Sequence, residues 1–214
     1  SAVLGGFKIC QSGLGTKIHK ASAPKLGIMF EQVIETLLTV LVQNKDAWMT
    51  GNNGDIFVPD TFGLKDLAEP QELDINILDL KEKGQTEYSK YQTDIKELLE
   101  PYAFSRVHEM FEVEVFDLTI LLWTQIFYSL VYRYDISTSS EDRKKIINSL
   151  KPLYFARSLS FNYHTWKYNV KYSEMEIRKS ALGFASQKYY LWGLYSKGNK
   201  LGPEKTKKTR SGKQ

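Results

Sequence analysis

From Leu118 to Tyr134 apolar and aromatic side chains fall on every side of a helical wheel. A helix without a polar face has to be surrounded, so the rest of the chain must supply helices to wrap it. Its most apolar part, Leu118–Val131, is broken by Thr119, Thr124, Gln125 and Ser129. It is also shorter than the roughly 20 residues needed to cross a bilayer. The segment therefore reads as the central helix of a bundle, and no membrane partner is expected. With 214 residues, 42% of them apolar, the chain can bury a full core. Thirteen tyrosines, eleven phenylalanines and four tryptophans point to bulky helix packing first, and to base or sugar stacking second.

The flanking sequence supplies the wrapping helices. Met29, Val33, Thr36/Leu37, Val40 and Leu41 recur at helical spacing after Pro24, predicting a helix from Leu26 to about Trp48. Residues 50–73 are rich in turn formers and read as a long connection, with Ile56-Phe57-Val58 as a candidate short strand. Residues 74–99 carry Ile77, Leu80, Tyr88, Tyr91, Ile95 and Leu98/Leu99 as a candidate buried stripe, with an interruption at Gly84. Pro101 suits a helix first turn and starts a helix over 102–111. Thr138-Ser139-Ser140-Glu141 and Ser173-Glu174-Met175-Glu176 have capping-box spacing. They predict helices from about Ser139 toward Tyr168, bent at Pro152, and from about Glu174 to Tyr195. The fold class expected is mainly α: five or six helices with a short β-element at the N-terminus.

The charge is uneven. Residues 197–214 hold seven basic side chains against Glu204, so this segment alone carries +6 of the chain's net +4 and the remainder is near −2. Residues 199–214 read as a disordered basic tail; no aromatic is interleaved to stack on bases, which argues against nucleic acid as partner. A single cysteine, Cys10, gives no internal disulfide, and no leading segment has signal-peptide character. The expected location is cytoplasmic.

The N-terminal stretch has the shape of a site. Phe7-Lys8-Ile9-Cys10-Gln11 alternates as a strand, with Phe7 and Ile9 on one face. Its partner is either a minor hairpin or a sheet this chain lacks. Gly13 and Gly15 then frame a turn with Thr16, Lys17, His19 and Lys20, whose backbone N–H groups and cations could meet a phosphate. From spacing alone this is an ordinary strand-to-helix turn first and an anion site second, and His19 is a solvent-facing turn histidine first and a metal ligand second. Elsewhere His108-Glu109-x-x-Glu112 has one-turn metal-ligand spacing but sits in an acidic series that reads more simply as a solvated face. Arg157, embedded in Lys151–Ser158 among apolar residues, is expected to pair with a carboxylate or helix terminus, or else to contact an acidic ligand or a subunit.

Read together, the run from Gly6 through Phe-Lys-Ile-Cys-Gln-Ser-Gly-Leu-Gly-Thr-Lys-Ile to His19, then Leu26-Gly-Ile-Met-Phe-Glu-Gln-Val33, Asp46-Ala-Trp48 and Leu150-Lys-Pro-Leu-Tyr-Phe-Ala-Arg157, resembles the C-terminal part of a family of glycosyltransferases. These are the family-2-like enzymes related to mannosylglycerate and glucosylglycerate synthases. The resemblance is dense over residues 5–48, thin over 50–135, and returns at 150–160. It implies a GT-A nucleotide-sugar-binding α/β domain followed by a helical region, so that the N-terminal β-element here is a remnant of the former. On that basis residues 1–25 are the terminal strand and metal/phosphate loop of a catalytic domain, and 26–198 the helical C-terminal domain. His19 would complete the site of a divalent metal, Mg or Mn, and Gly13, Gly15, Thr16 and Lys17 would steady the donor diphosphate. Where the family pattern continues with acidic residues, this chain has Lys20-Ala21-Ser22-Ala23. Lys20, Tyr154 and Arg157 are candidates for acceptor or subunit contact. No residue is assigned a catalytic role.

The implied activity is transfer of a hexose from a nucleotide sugar to a small hydroxy acid such as glycerate. The chain alone is expected to be inactive without an N-terminal catalytic domain, and to form a homo-oligomer through the aromatics near Arg157. The alternative is a non-catalytic helical protein-interaction module.

Overall fold

The computed structural model describes residues 7–8, 10–13, 26–49, 60–63 and 75–200. Among these the protein is mainly α, as expected. Two strands, β1 (Cys10–Gly13) and β2 (Asp60–Gly63), are joined to eight helices: α1 (Leu26–Gln43), α2 (Lys45–Met49), α3 (Ile77–Leu98), α4 (Pro101–Glu112), α5 (Ile120–Ile136), α6 (Ser140–Thr165), α7 (Val170–Ser186) and α8 (Lys188–Lys200). Two of the six helices expected from the sequence are each divided. Asn44 turns back to bond the Val40 carbonyl between α1 and α2, and Gln187 bonds the Gly183 and Ala185 carbonyls between α7 and α8.

The central helix is as expected. α5 buries Leu122, Thr124, Ile126, Ser129, Leu130, Val131 and Tyr134 and touches α1, α3, α6, α7 and α8. Thr119 caps it, accepting from the Leu122 amide. α3 and α6 form the most extensive helix pair. There Gly84 does not interrupt α3: a Cβ at Gly84 would lie 3.2 Å from Phe155 Cβ, so the missing side chain is what lets the helices close. Tyr88, Ile95, Leu98 and Leu99 are buried as predicted, whereas Ile77, in the first turn, is exposed.

Side-chain caps set two further helix starts, the first where the sequence predicts it and the second earlier. α6 starts on Ser139, which accepts from the Asp142 amide, and it runs through the buried Pro152 to Thr165. α7 begins at Val170, ahead of the predicted Ser173 box, because Asn169 accepts from the Tyr172 amide. At the other end α8 continues past Gly198 to Lys200, two residues into the segment read as tail.

The strand lies later than the alternation predicts. Phe7 and Lys8 precede β1 and are exposed; Ile9 and the candidate strand 56–58 lie outside the described residues. β1 and β2 run parallel, Cys10 opposite Asp60 and Gly13 opposite Gly63, which excludes the hairpin. A parallel pair needs a crossover, and α1 and α2 lie within it.

α7 is a peripheral helix with no buried residue, held where its backbone meets α5. A Cβ at Gly183 would collide with Ile120 Cγ2. Ile is β-branched and cannot swing that methyl aside cheaply. Gly183→Ala is therefore expected to cost about 1–3 kcal/mol by overpacking. Gly193→Ala, where a Cβ meets nothing within 4 Å, should be neutral or stabilising by up to about 1 kcal/mol. Denaturant unfolding of the two variants checks this, and equal midpoints would contradict the packing.

Candidate functional site

Of the residues singled out in the N-terminal stretch, Gly13 ends β1 opposite Gly63, while Gly15, Thr16, Lys17, His19 and Lys20 lie outside the described residues. The other two are on α6 and point to different neighbours. Tyr154 packs its ring on Phe30 of α1, centroids 5.1 Å apart. Arg157 is half-buried and turns toward the start of α5 and toward α7: Nη1 donates to the Leu118 carbonyl at 3.0 Å, and Nη2 to Ser180 Oγ at 3.3 Å. The Leu118 carbonyl lies just before the Thr119 cap of α5, so Arg157 bonds the turn that leads into that helix and not the C-terminal carbonyls of a helix.

Around Arg157 the structure forms a cleft of about 250 Å³ lined by Asp117, Leu118, Thr119, Ile120, Arg157, Phe161, His164, Tyr172 and Glu176. Tyr154 is not part of it. Three segments build it: the capped entry to α5, one face of α6 that carries Arg157, Phe161 and His164, and the inner face of α7. Ser180 is doubly used, donating to the Glu176 carbonyl at 2.9 Å while accepting from Arg157. At the rim His164 Nε2 stands 3.2 Å from Asp117 Oδ1. Glu176 Oε1 is held by Lys179 at 2.5 Å. Burial pulls the Arg157 guanidinium below its ordinary range, and the Glu176 charge pulls it back. An arginine stays protonated throughout.

Asp117, His164, Tyr172 and Glu176 escaped the sequence reading. Asp117 belongs to what looked like a solvated acidic series, and its partner lies 47 residues on. The signal was present in α7, where residues 172, 176, 180 and 183/184 repeat at helical spacing on the one face that meets the bundle.

The His108 run is no metal site in this arrangement. His108 Nδ1 shares a 3.0 Å hydrogen bond with the Tyr88 hydroxyl, its ring stacks on Phe104, and Glu112 lies 3.9 Å away. Among the described residues no group of three His, Cys, Asp or Glu side chains could hold a metal ion. Among the described residues no helix is long and apolar enough to cross a membrane. The chain matches no family model, no curated protein and no solved structure.

Buried and partly buried phenols, Tyr88, Tyr128 and Tyr195, give the fold an alkaline limit, the Tyr195 hydroxyl being pushed up by burial and by Asp135. Burial first, then the Glu112 charge, push Tyr88 from its ordinary 10 up to about 12, against the lowering effect of Gln92. Burial does the same to Tyr128, which donates to the Phe184 carbonyl at 2.6 Å. Between pH 10 and 12 the folded protein keeps protons that the unfolded chain sheds, so stability falls as pH rises through that window. The denaturant midpoint should drop there. In Tyr88→Phe/Tyr128→Phe the slope should flatten, and an unchanged slope would contradict the assignment.

Proposed function

We propose that this chain is the C-terminal part of a cytoplasmic GT-A glycosyltransferase that moves a hexose from a nucleotide sugar to a small hydroxy acid. The turn after β1 would serve the donor, and the helices would form the acceptor side. The reading rests first on the residues quoted above for the resemblance. The structural observation that carries it furthest is the parallel β1–crossover–β2 unit, together with the outer face of α1.

α1 buries Phe30 and Leu38, yet Met29, Val33, Leu37 and Val40, the residues whose spacing signals the helix, are 42, 59, 40 and 37% exposed. They form a stripe along a helix about 27 Å long. Two four-residue strands span only about 13 Å along their length and 5 Å between them. Parallel sheets are normally covered on both faces and built from more than two strands, with crossover helices packed against them. Each described strand has one neighbour, leaving an edge on either side of the pair. Further parallel strands of an α/β domain would use an edge and cover the α1 stripe. This favours a transferase over a free-standing interaction module.

In this reading the cation belongs with His19 and with carboxylates of that α/β domain. Lys17 and the backbone N–H groups of Gly13–Thr16 would offset charge on the donor diphosphate. Hydroxy-acid contact falls to Arg157, and Tyr154 serves the α1–α6 packing.

Supplied with nucleotide sugars, glycerate and Mg or Mn, the chain alone should give no transfer. A longer protein containing it and the α/β domain should be active. In that protein His19→Ala is expected to lower activity at least about tenfold, on the scale of one lost polar contact to developing charge, with helical content intact. Val33→Lys/Leu37→Lys should weaken binding between the two parts when they are expressed separately. Turnover by the chain alone, or His19→Ala kinetics matching the unaltered protein, would refute the reading.

A further inference from the structure

We propose that the outer face of α7, together with the cationic C-terminal part of the chain, attaches this protein to the surface of an anionic lipid bilayer. α7 buries no residue, and the row at 172, 176, 180 and 183 is the one that meets the bundle. The opposite side is left to water, where a helix is normally polar. Here it is largely apolar: Val170, Met175, Ile177 and Leu182 are all exposed, Ile177 and Leu182 at 58 and 56%. At about 100° per residue, Val170, Ile177 and Ala181 fall in one row and Met175 and Leu182 in a second. Lys171, Glu174 and Arg178 lie between the two rows, and all three are exposed.

Charge selects the partner. Residues 167–214 carry twelve Lys and Arg side chains against three glutamates, a net +9; with +4 for the whole chain, residues 1–166 stand at −5. Among the cations described in this part, only Lys179 has a carboxylate partner, Glu176. Lys171 and Arg178 have none. Lys167 and Lys188 lie over the rings of Trp166 and Trp192, at 5.0 and 5.4 Å from the centroids.

The aliphatic rows favour lipid over nucleic acid. A phosphodiester backbone meets cations but gains nothing from Met175, Ile177 and Leu182. An interfacial helix buries such residues at the headgroup–acyl boundary while its Lys and Arg reach back to the headgroups. Trp and Tyr rings sit at that same level. Trp166 and Tyr168, both exposed, stand where the chain enters α7, and the exposed Tyr189 follows its end, about 26 Å further along 17 helical residues. One shallow apolar contact gives only marginal attachment, and a polybasic segment supplies the second signal. Residues 197–214 hold seven of the twelve cations. Such a contact lies in the plane of the surface and needs no spanning helix. It involves neither the donor turn nor Arg157, so it fails separately from the transferase reading.

Co-sedimentation of the whole chain with vesicles of phosphatidylcholine mixed with phosphatidylglycerol, and with vesicles of phosphatidylcholine alone, provides the test. The mixed vesicles should bind the chain at least about tenfold more tightly than the neutral ones, and added salt should release it. Lys171→Gln/Arg178→Gln should weaken binding about 25-fold, each cation near an anionic surface being worth about fivefold. Ile177→Ser/Leu182→Ser should weaken it at least about tenfold and leave the salt dependence in place. All four side chains are exposed, so circular dichroism should show unchanged helical content. Tyr102→Ser, at an equally exposed ring on α4, should bind like the unaltered chain. Equal binding to the two kinds of vesicle, or α7 variants that bind as tightly as the unaltered chain, would overturn the proposal, the latter by leaving attachment to residues 201–214 alone. Binding to a single-stranded oligonucleotide without binding to either vesicle would assign the surface to nucleic acid and overturn it equally.

Discussion

The rest of the structure depends on the close approach of α3 and α6 at Gly84. With no side chain at that position, Phe155 lies against the α3 backbone, and Phe111 of α4 reaches the same spot. Tyr88, one turn along, stacks flat on Phe111 at 4.0 Å, and Phe116 meets Phe111 edge-on at 5.2 Å. Gln85 donates to the Phe111 carbonyl at 2.6 Å and locks the end of α4 to α3. Ion pairs follow the same seam: Lys145 reaches Asp94 and Glu97, and Lys151 reaches Glu87 and Glu31. The Lys145 pairs are partly exposed and worth about 0–1 kcal/mol each, whereas Lys151 and Glu87 are both mostly withdrawn from solvent.

That seam fixes the position of α6, and α6 in turn positions Arg157. The helix runs unbroken through Pro152, so Lys151, Tyr154 and Arg157 keep helical phase and face α3, α1 and the start of α5 respectively. Phe116 and Leu118 anchor the turn between α4 and α5 in the core. Its Leu118 carbonyl is thereby presented to Arg157 and Ser160. α7 closes the cleft from outside, and its hold is local: the Gly183–Ile120 approach, Phe184 edge-on to Phe127 and Tyr128, and the Arg157–Ser180 bond.

Much of the bundle was legible because its signals are local. The almost all-round apolar α5, the Pro101 start of α4 and the cap at Ser139 each report on the chain within a few residues. Gly84 misled because a glycine in a helix reads equally as a weak point or as a contact, and only the partner, Phe155, decides. α1 misled differently: its apolar residues go nearly all round, so spacing identified a helix without telling which face the bundle takes. The N-terminal strand was placed too early because alternation at Phe7 and Ile9 says nothing about a partner, and pairing with Asp60–Gly63 sets where the ladder begins. Half of the cleft was hidden because Asp117–His164 and Arg157–Ser180 join residues 47 and 23 positions apart. Arg157 stood out because a charge among apolar neighbours must have a reason nearby.

The central claim is that the helices around α5 form a self-sufficient unit, whereas the β1–β2 pair and the outer face of α1 are completed by an α/β layer. Amide hydrogen exchange, compared between this chain alone and a protein that also carries that layer, tests it most directly. The account predicts that α3, α5 and α6 are protected alike in both, and that amides of 10–13, 60–63 and α1 gain protection only in the longer protein. Equal protection of the strands and α1 in the two proteins would contradict it.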